Sequence, residues 1–200
     1  YVINLETGER KLALKKARYM GQPSTDGTKF FYYEDGHYFV YDMKGGTAAL
    51  NITKLVPTSF IDIEDDHNGV KPPRPVIGWT KDGDALLLSD GWDIWKVPTQ
   101  GGAATNLTVN GKKDGIRYRQ ILRLDPEERG LDLSQPRYVS MFGEWTKKGG
   151  FGKLEPAKPG IQPLIWDDAT FNVMKARKAD VYFYTKSTYK DPTDYYATDA

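Results

Sequence analysis

Apolar residues in this chain come in runs of four or five, each stopped by a polar turn signal. FFYY (30–33) follows Asp26-Gly27 and precedes Asp35-Gly36, and ALLL (85–88) follows Asp82-Gly83 and precedes Asp90-Gly91. Short aromatic and aliphatic runs bounded in this way predict buried strands joined by hairpins, because Asp-Gly supplies the positive φ angles of a tight turn. The next strand is predicted at YFVY (38–41) in one passage and DIWKV (93–97) in the other. Gly45-Gly46 and Gly101-Gly102 then turn the chain into a more polar strand that ends at Asn-x-Thr. An apolar segment ahead of each first Asp-Gly, around Met20 and at VIGW (76–79), supplies a fourth strand.

These signals recur in one order. Asp26-Gly27 returns as Asp82-Gly83, Asp35-Gly36 as Asp90-Gly91, Gly45-Gly46 as Gly101-Gly102, and Asn51-Ile52-Thr53 as Asn106-Leu107-Thr108, each 55 or 56 residues later. A four-stranded antiparallel unit in tandem, apolar inside and polar outermost, describes a β-propeller blade. The predicted fold is all-β, a partial propeller arc of about four to five four-stranded blades. Residues 1–16 read as the end of a blade, with strands at 2–5 and 11–14. Residues 17–53, 74–108 and 117–166 read as blades, and 169–200 as an incomplete one. The third blade places strands at 119–124, 137–142, 150–154 and 161–166, and the last at 171–174 and 181–185, stopping near Tyr195-Tyr196. Residues 54–74 connect blades. A chain that starts and stops inside blades is expected to be an arc with neighbours on both sides. The other solution is a small four-bladed ring, closed by pairing of the terminal half-blades so that no edge is left unpaired.

Composition agrees with strands and narrows the partners. The chain has 200 residues, 39% hydrophobic and 13% aromatic, which is too apolar for a disordered segment. Lys and Arg number 28 against 27 Asp and Glu, so no net field favours nucleic acid or an anionic membrane. The basic run Lys175, Arg177, Lys178 has acids on both sides and reads as a solvated face. No apolar run approaches the roughly 20 residues of a membrane helix, and no signal peptide is visible. The chain opens on Tyr1 in mid-pattern, so a preceding segment is expected. With no cysteine, disulfides and thiolate metal sites are excluded.

The stretch PPRPVIGWTKDGDALLLSDGWDIWKVP (72–98) resembles a recurrent blade of bacterial members of the prolyl oligopeptidase family. The shared elements are an acidic loop (62–66), a Pro-rich approach, Gly78-Trp79-Thr80-Lys81-Asp82, and Asp90 with Asp93-Ile94-Trp95. Ser89 and Gly91-Trp92 stand where that family often has Tyr and Arg-Tyr. RYRQILRLDPEERGLD (117–132) and ADVYFYTKSTYKDPTDYYATD (179–199) resemble later blades of the family. TolB-type propellers share the Asp-Gly turns but less often the Gly-Trp-Thr to Asp-Ile-Trp stretch. The resemblance implies a seven- or eight-bladed propeller ahead of a C-terminal α/β-hydrolase domain, which carries the Ser, Asp and His of catalysis. It also implies an exported, periplasmic or extracellular parent that acts on peptide substrates.

The chain itself offers little chemistry. The Gly-x-Ser-x-Gly nucleophile elbow does not occur. His37 adjoins a hairpin turn, and His67 lies in the acidic loop beside Asp65 and Asp66, which lacks the spacing of a calcium hand. No catalytic residue, metal site or cofactor is expected. Glu127-Glu128 invites comparison with the paired glutamates by which some peptidases of that family hold a substrate's amino group, since adjacent carboxylates can bind an ammonium. Asp125-Pro126 and Arg129-Gly130 around them read as an exposed loop. Trp79 and Trp95 are expected in the core and Trp92 exposed at a turn. The two Asn-x-Thr triplets match the glycosylation acceptor, but their shared repeat position favours a structural origin.

The leading expectation is a non-catalytic propeller segment that shapes and gates access to a hydrolase domain of the same parent chain, with no nucleic-acid or membrane partner. A stand-alone TolB-like interaction module is the alternative from another class. A carbohydrate-active propeller with paired carboxylates is a third.

Overall fold

The computed structural model describes residues 1–45, 48–123, 125–179 and 181–199. Gly46 of the first Gly-Gly signal, Leu124 at the expected end of a strand, and Asp180 lie outside them.

The chain is a series of antiparallel meanders. β1 (Val2–Ile3) pairs with β2 (Arg10–Lys11). β3 (Tyr19–Met20), β4 (Lys29–Glu34), β5 (His37–Asp42) and β6 (Leu50–Asn51) form one four-stranded sheet in chain order. β7 (Val76–Trp79), β8 (Ala85–Ser89), β9 (Ile94–Pro98) and β10 (Thr105–Asn106) form the second. A single helical turn, α1 (Gly111–Asp114), leads to the third, made of β11 (Ile116–Ile121), β12 (Arg137–Gly143), β13 (Gly149–Leu154) and β14 (Ile161–Asp167). β15 (Thr170–Lys175), β16 (Val181–Ser187) and β17 (Asp194–Asp199) make a three-stranded sheet.

The sheets stack face against face, which is why strand faces alternate between neighbouring cores. In β4, Phe30 and Tyr32 face Val2, Ala13 and Leu14, while Tyr33 faces the second sheet. In β8 every residue is buried: Leu86 and Leu88 join the core shared with the first sheet, and Leu87 the core shared with the third. Val139 and Met141 of β12 face back to the second sheet. Phe151 and Tyr138 face forward, edge to face with Phe171, Tyr184 and Tyr182 of the last sheet at 5.6 to 6.5 Å between ring centroids. Repeated four-stranded meanders packed in series are the blades of a partial β-propeller.

Local chemistry explains the repeat. Asp35 and Gly36 both have positive φ (48° and 85°) and close the two-residue hairpin between Glu34 and His37. Ser24 and Thr80 hold equivalent turns, their hydroxyls accepting the N–H of Lys29 and of Ala85, each at 3.0 Å. The Asn-x-Thr triplets end the outer strands by one device. Asn51 and Asn106 side chains accept the N–H two residues ahead at 3.1 Å, and the buried threonine then accepts a strand amide, Tyr38 N–H at 2.9 Å or Ile94 N–H at 3.0 Å.

Three expectations need correction. The Asp90 hairpin spans four residues between Ser89 and Ile94, since the Asp90 carboxylate accepts the N–H groups of Trp92 and Asp93 and holds both in the turn. The inner strand of the third sheet is β11, three residues earlier than the run at 119–124 suggested, because the main chain of Tyr118 bonds to Trp92 O at 2.9 Å and a bulge follows it. Trp145 is the exposed tryptophan, 82% accessible, whereas Trp92 is half-buried beneath Arg117. Trp79 and Trp95 pack in the core between the first two sheets.

Candidate functional site

Two clefts open at the junction of the second and third sheets. The larger, about 880 Å³, runs between the β7–β8 turn and the segment before β12, with Leu107, Leu131 and Leu154 in its lining and Lys81, Asp132 and Lys158 beside them. Lys81 bonds Asp132 across it at 3.0 Å. The Asp132 carboxylate also accepts from the hydroxyl of Ser134, and this bond together with that of Lys81 holds it well below the usual carboxylate range.

The smaller cleft, about 480 Å³, lies where the inner strands β7 and β11 begin. Its lining includes Glu64, Arg74, Arg117, Arg119 and Glu144. Arg117 donates to both oxygens of Glu64, from Nη1 at 2.9 Å and from Nη2 at 2.6 Å. It also donates from Nε to Glu144 at 2.5 Å, and lies 4.3 Å from the ring centre of Trp92. Arg74 donates to the same Glu64 at 2.8 Å and pairs with Asp62 at 3.0 Å. The Gly91 Cα lies so close to this guanidinium that an added Cβ would sit 3.0 Å from Arg74 Cζ. The two arginines, Arg117 first, pull the Glu64 carboxyl from 4.5 down to about 2, and Glu64 in turn raises Arg117.

The structure treats the two sequence-singled glutamates differently. Glu128 is bound by the Arg137 guanidinium, with one contact at 3.1 Å, and sits over the N–H of Asp132. Glu127 is exposed, 3.8 Å from Arg177. The histidines are also committed: His37 Nδ1 meets Thr53 Oγ1 at 3.2 Å, and His67 Nδ1 meets Asp65 at 2.7 Å. Asp65, Asp66 and His67 bring one ligand atom each within 4.8 Å of one another, on a loop whose Asp66 and His67 are open to solvent. Among the described residues no helix is long and apolar enough to cross a membrane.

Sequence reading passed over the Glu64, Arg74 and Arg117 cluster. Glu64 registered only as part of an acidic loop, and Arg117 lies 53 residues beyond it, so no spacing rule connects them.

No protein-family model matches the chain, and no curated protein matches it. Among solved structures it is similar to a chain assigned as TolB from Agrobacterium tumefaciens, with 14% identity and a TM-score of 0.39, over 90% of this chain and 76% of that one.

Proposed function

We propose that this chain is a non-catalytic propeller segment that shapes and gates the approach of peptides to a serine hydrolase domain of the same parent protein, in the periplasm or outside the cell. The observation that carries the reading is the second sheet. The stretch from Gly78-Trp79-Thr80 to Asp93-Ile94-Trp95, which resembles prolyl oligopeptidase blades, includes β8, buried at every position, and Leu86, Leu87, Leu88, Ile94 and Val97 are at 0% exposure. The non-catalytic part is supported by the two histidines: Nδ1 of His37 meets Thr53 and Nδ1 of His67 meets Asp65, and among the described residues no serine is bonded to either ring. A further sheet beside the last one is supported by the face of β15–β17 that carries Met174, Phe183 and Tyr195. All three are exposed on the side opposite Phe151.

Labelling with a fluorophosphonate tests this reading. The natural gene product is expected to be labelled at a serine outside these 200 residues. A product that contains no reactive serine, and that binds a protein partner as a closed ring, would select the stand-alone TolB-like module instead.

A further inference from the structure

The smaller cleft has the construction of a receptor with its own ligand in place. Arg74 and Arg117 are largely buried, each with a side chain 13% exposed. Arg117 is fixed from behind by Glu144, by the carbonyl of Gly91 at 3.3 Å and by the face of Trp92. Arg74 has a buried Nε with no partner among the described residues. Arg119 stands exposed at the mouth, 3.8 Å over the ring of Phe142, and no described carboxylate pairs with it.

The occupant is of a different kind. Glu64 is 48% exposed and rides on a loop pinned at its base, where Asp62 N–H meets Pro72 O at 2.8 Å and Arg74 N–H meets Phe60 O at 2.7 Å. The apolar side chains at the loop's tip are mostly in solvent: Ile63 and Val70 are 75% and 82% exposed. Little besides carboxylate–guanidinium contacts holds its tip against the cleft. A guanidinium fork binds a carboxylate through two parallel N–H···O bonds whichever molecule supplies it.

We propose that the Arg74–Arg117 fork, with Arg119 at its mouth, is a binding site for a peptide carboxylate, and that Glu64 is a built-in occupant which such a carboxylate displaces. The site stands whether or not a hydrolase accompanies these sheets. The carboxylate can come from a chain terminus or from an acidic side chain, and the test separates the two.

Three peptides are titrated calorimetrically into the 200-residue chain at low salt: acetyl-Ala-Ala-Ala with a free carboxylate, acetyl-Ala-Glu-Ala-amide, and acetyl-Ala-Ala-Ala-amide. Glu64→Ala is expected to bind one of the first two at least tenfold more tightly than the wild type, and the amide control not at all. Arg117→Lys added to Glu64→Ala keeps the charge but loses the fork, and is expected to weaken that binding at least tenfold. Glu64→Gln, which keeps the shape and the hydrogen-bond acceptor, repeats the measurement should the alanine variant unfold. The first peptide binding alone assigns the site to chain termini, and the second alone assigns it to acidic side chains. If a folded Glu64 variant binds neither, or binds the amide as well, the proposal is overturned and the cluster is a structural ion-pair network.

Discussion

Replacing Thr108 with valine tests the device that closes each repeat. Thr108 is 1% exposed, and its hydroxyl accepts the N–H of Ile94 at 3.0 Å while donating to Asp93 Oδ1 at 2.7 Å. Valine keeps the shape and deletes both bonds. A buried backbone N–H left unpaired costs about 1–3 kcal/mol, and a lost bond to a charged group about 1.5–3 kcal/mol. Asp93 retains the N–H of Gly111 at 3.1 Å, so the second loss is only partial. The expected total is about 3 kcal/mol on this arithmetic. Thr53→Val is the internal control. Thr53 accepts from Tyr38 N–H at 2.9 Å and touches His37, and no carboxylate among the described residues bonds it, so its loss should be about half as large. Urea denaturation gives the global effect. Amide hydrogen exchange gives the local one: Ile94 should exchange about a hundredfold faster in Thr108→Val and Tyr38 about tenfold faster in Thr53→Val, since 1.4 kcal/mol is a factor of ten. If both variants fall within about 0.5 kcal/mol of wild type, or if Thr53→Val is the more damaging, the threonine does not close the repeat.

Gly150 and Glu64 provide two further tests. A methyl group on Gly150 would lie 2.0 Å from the carbonyl oxygen of Ile165 on the neighbouring strand, so Gly150→Ala should cost at least about 1–3 kcal/mol by overpacking. A thermal midpoint equal to that of the wild type would contradict this. The Glu64 carboxyl is depressed from 4.5 to about 2 in the folded chain, so its stabilisation is fully present above pH 4.5 and is lost as pH falls through about 2. The stability difference between wild type and Glu64→Gln, from urea midpoints, should therefore shrink on acidification, and a difference that held constant down to about pH 2 would exclude the ion pairs as its source.

The repeat was readable because its signals are short-range. An Asp-Gly turn, a buried apolar run and an Asn-x-Thr strand end each work through hydrogen bonds between residues close together or across one hairpin, so they leave a fixed spacing in the chain. Element positions were less legible where a long-range bond chose the register. β11 begins at Ile116 because Tyr118 pairs with Trp92, 26 residues before it. Trp92 and Trp145 look alike as turn residues. Only the approach of Arg117 from the next sheet buries one and leaves the other in solvent.

By itself the sequence determined the class of structure: antiparallel meanders, with the faces that become cores and the turns that separate them, since local propensity and alternation are encoded residue by residue. The stacking of those meanders decided the rest. It set which sheet each face meets, and brought Arg74 and Arg117 onto one carboxylate from a loop. Such convergence depends on distances between sheets, and a linear pattern carries no term for them.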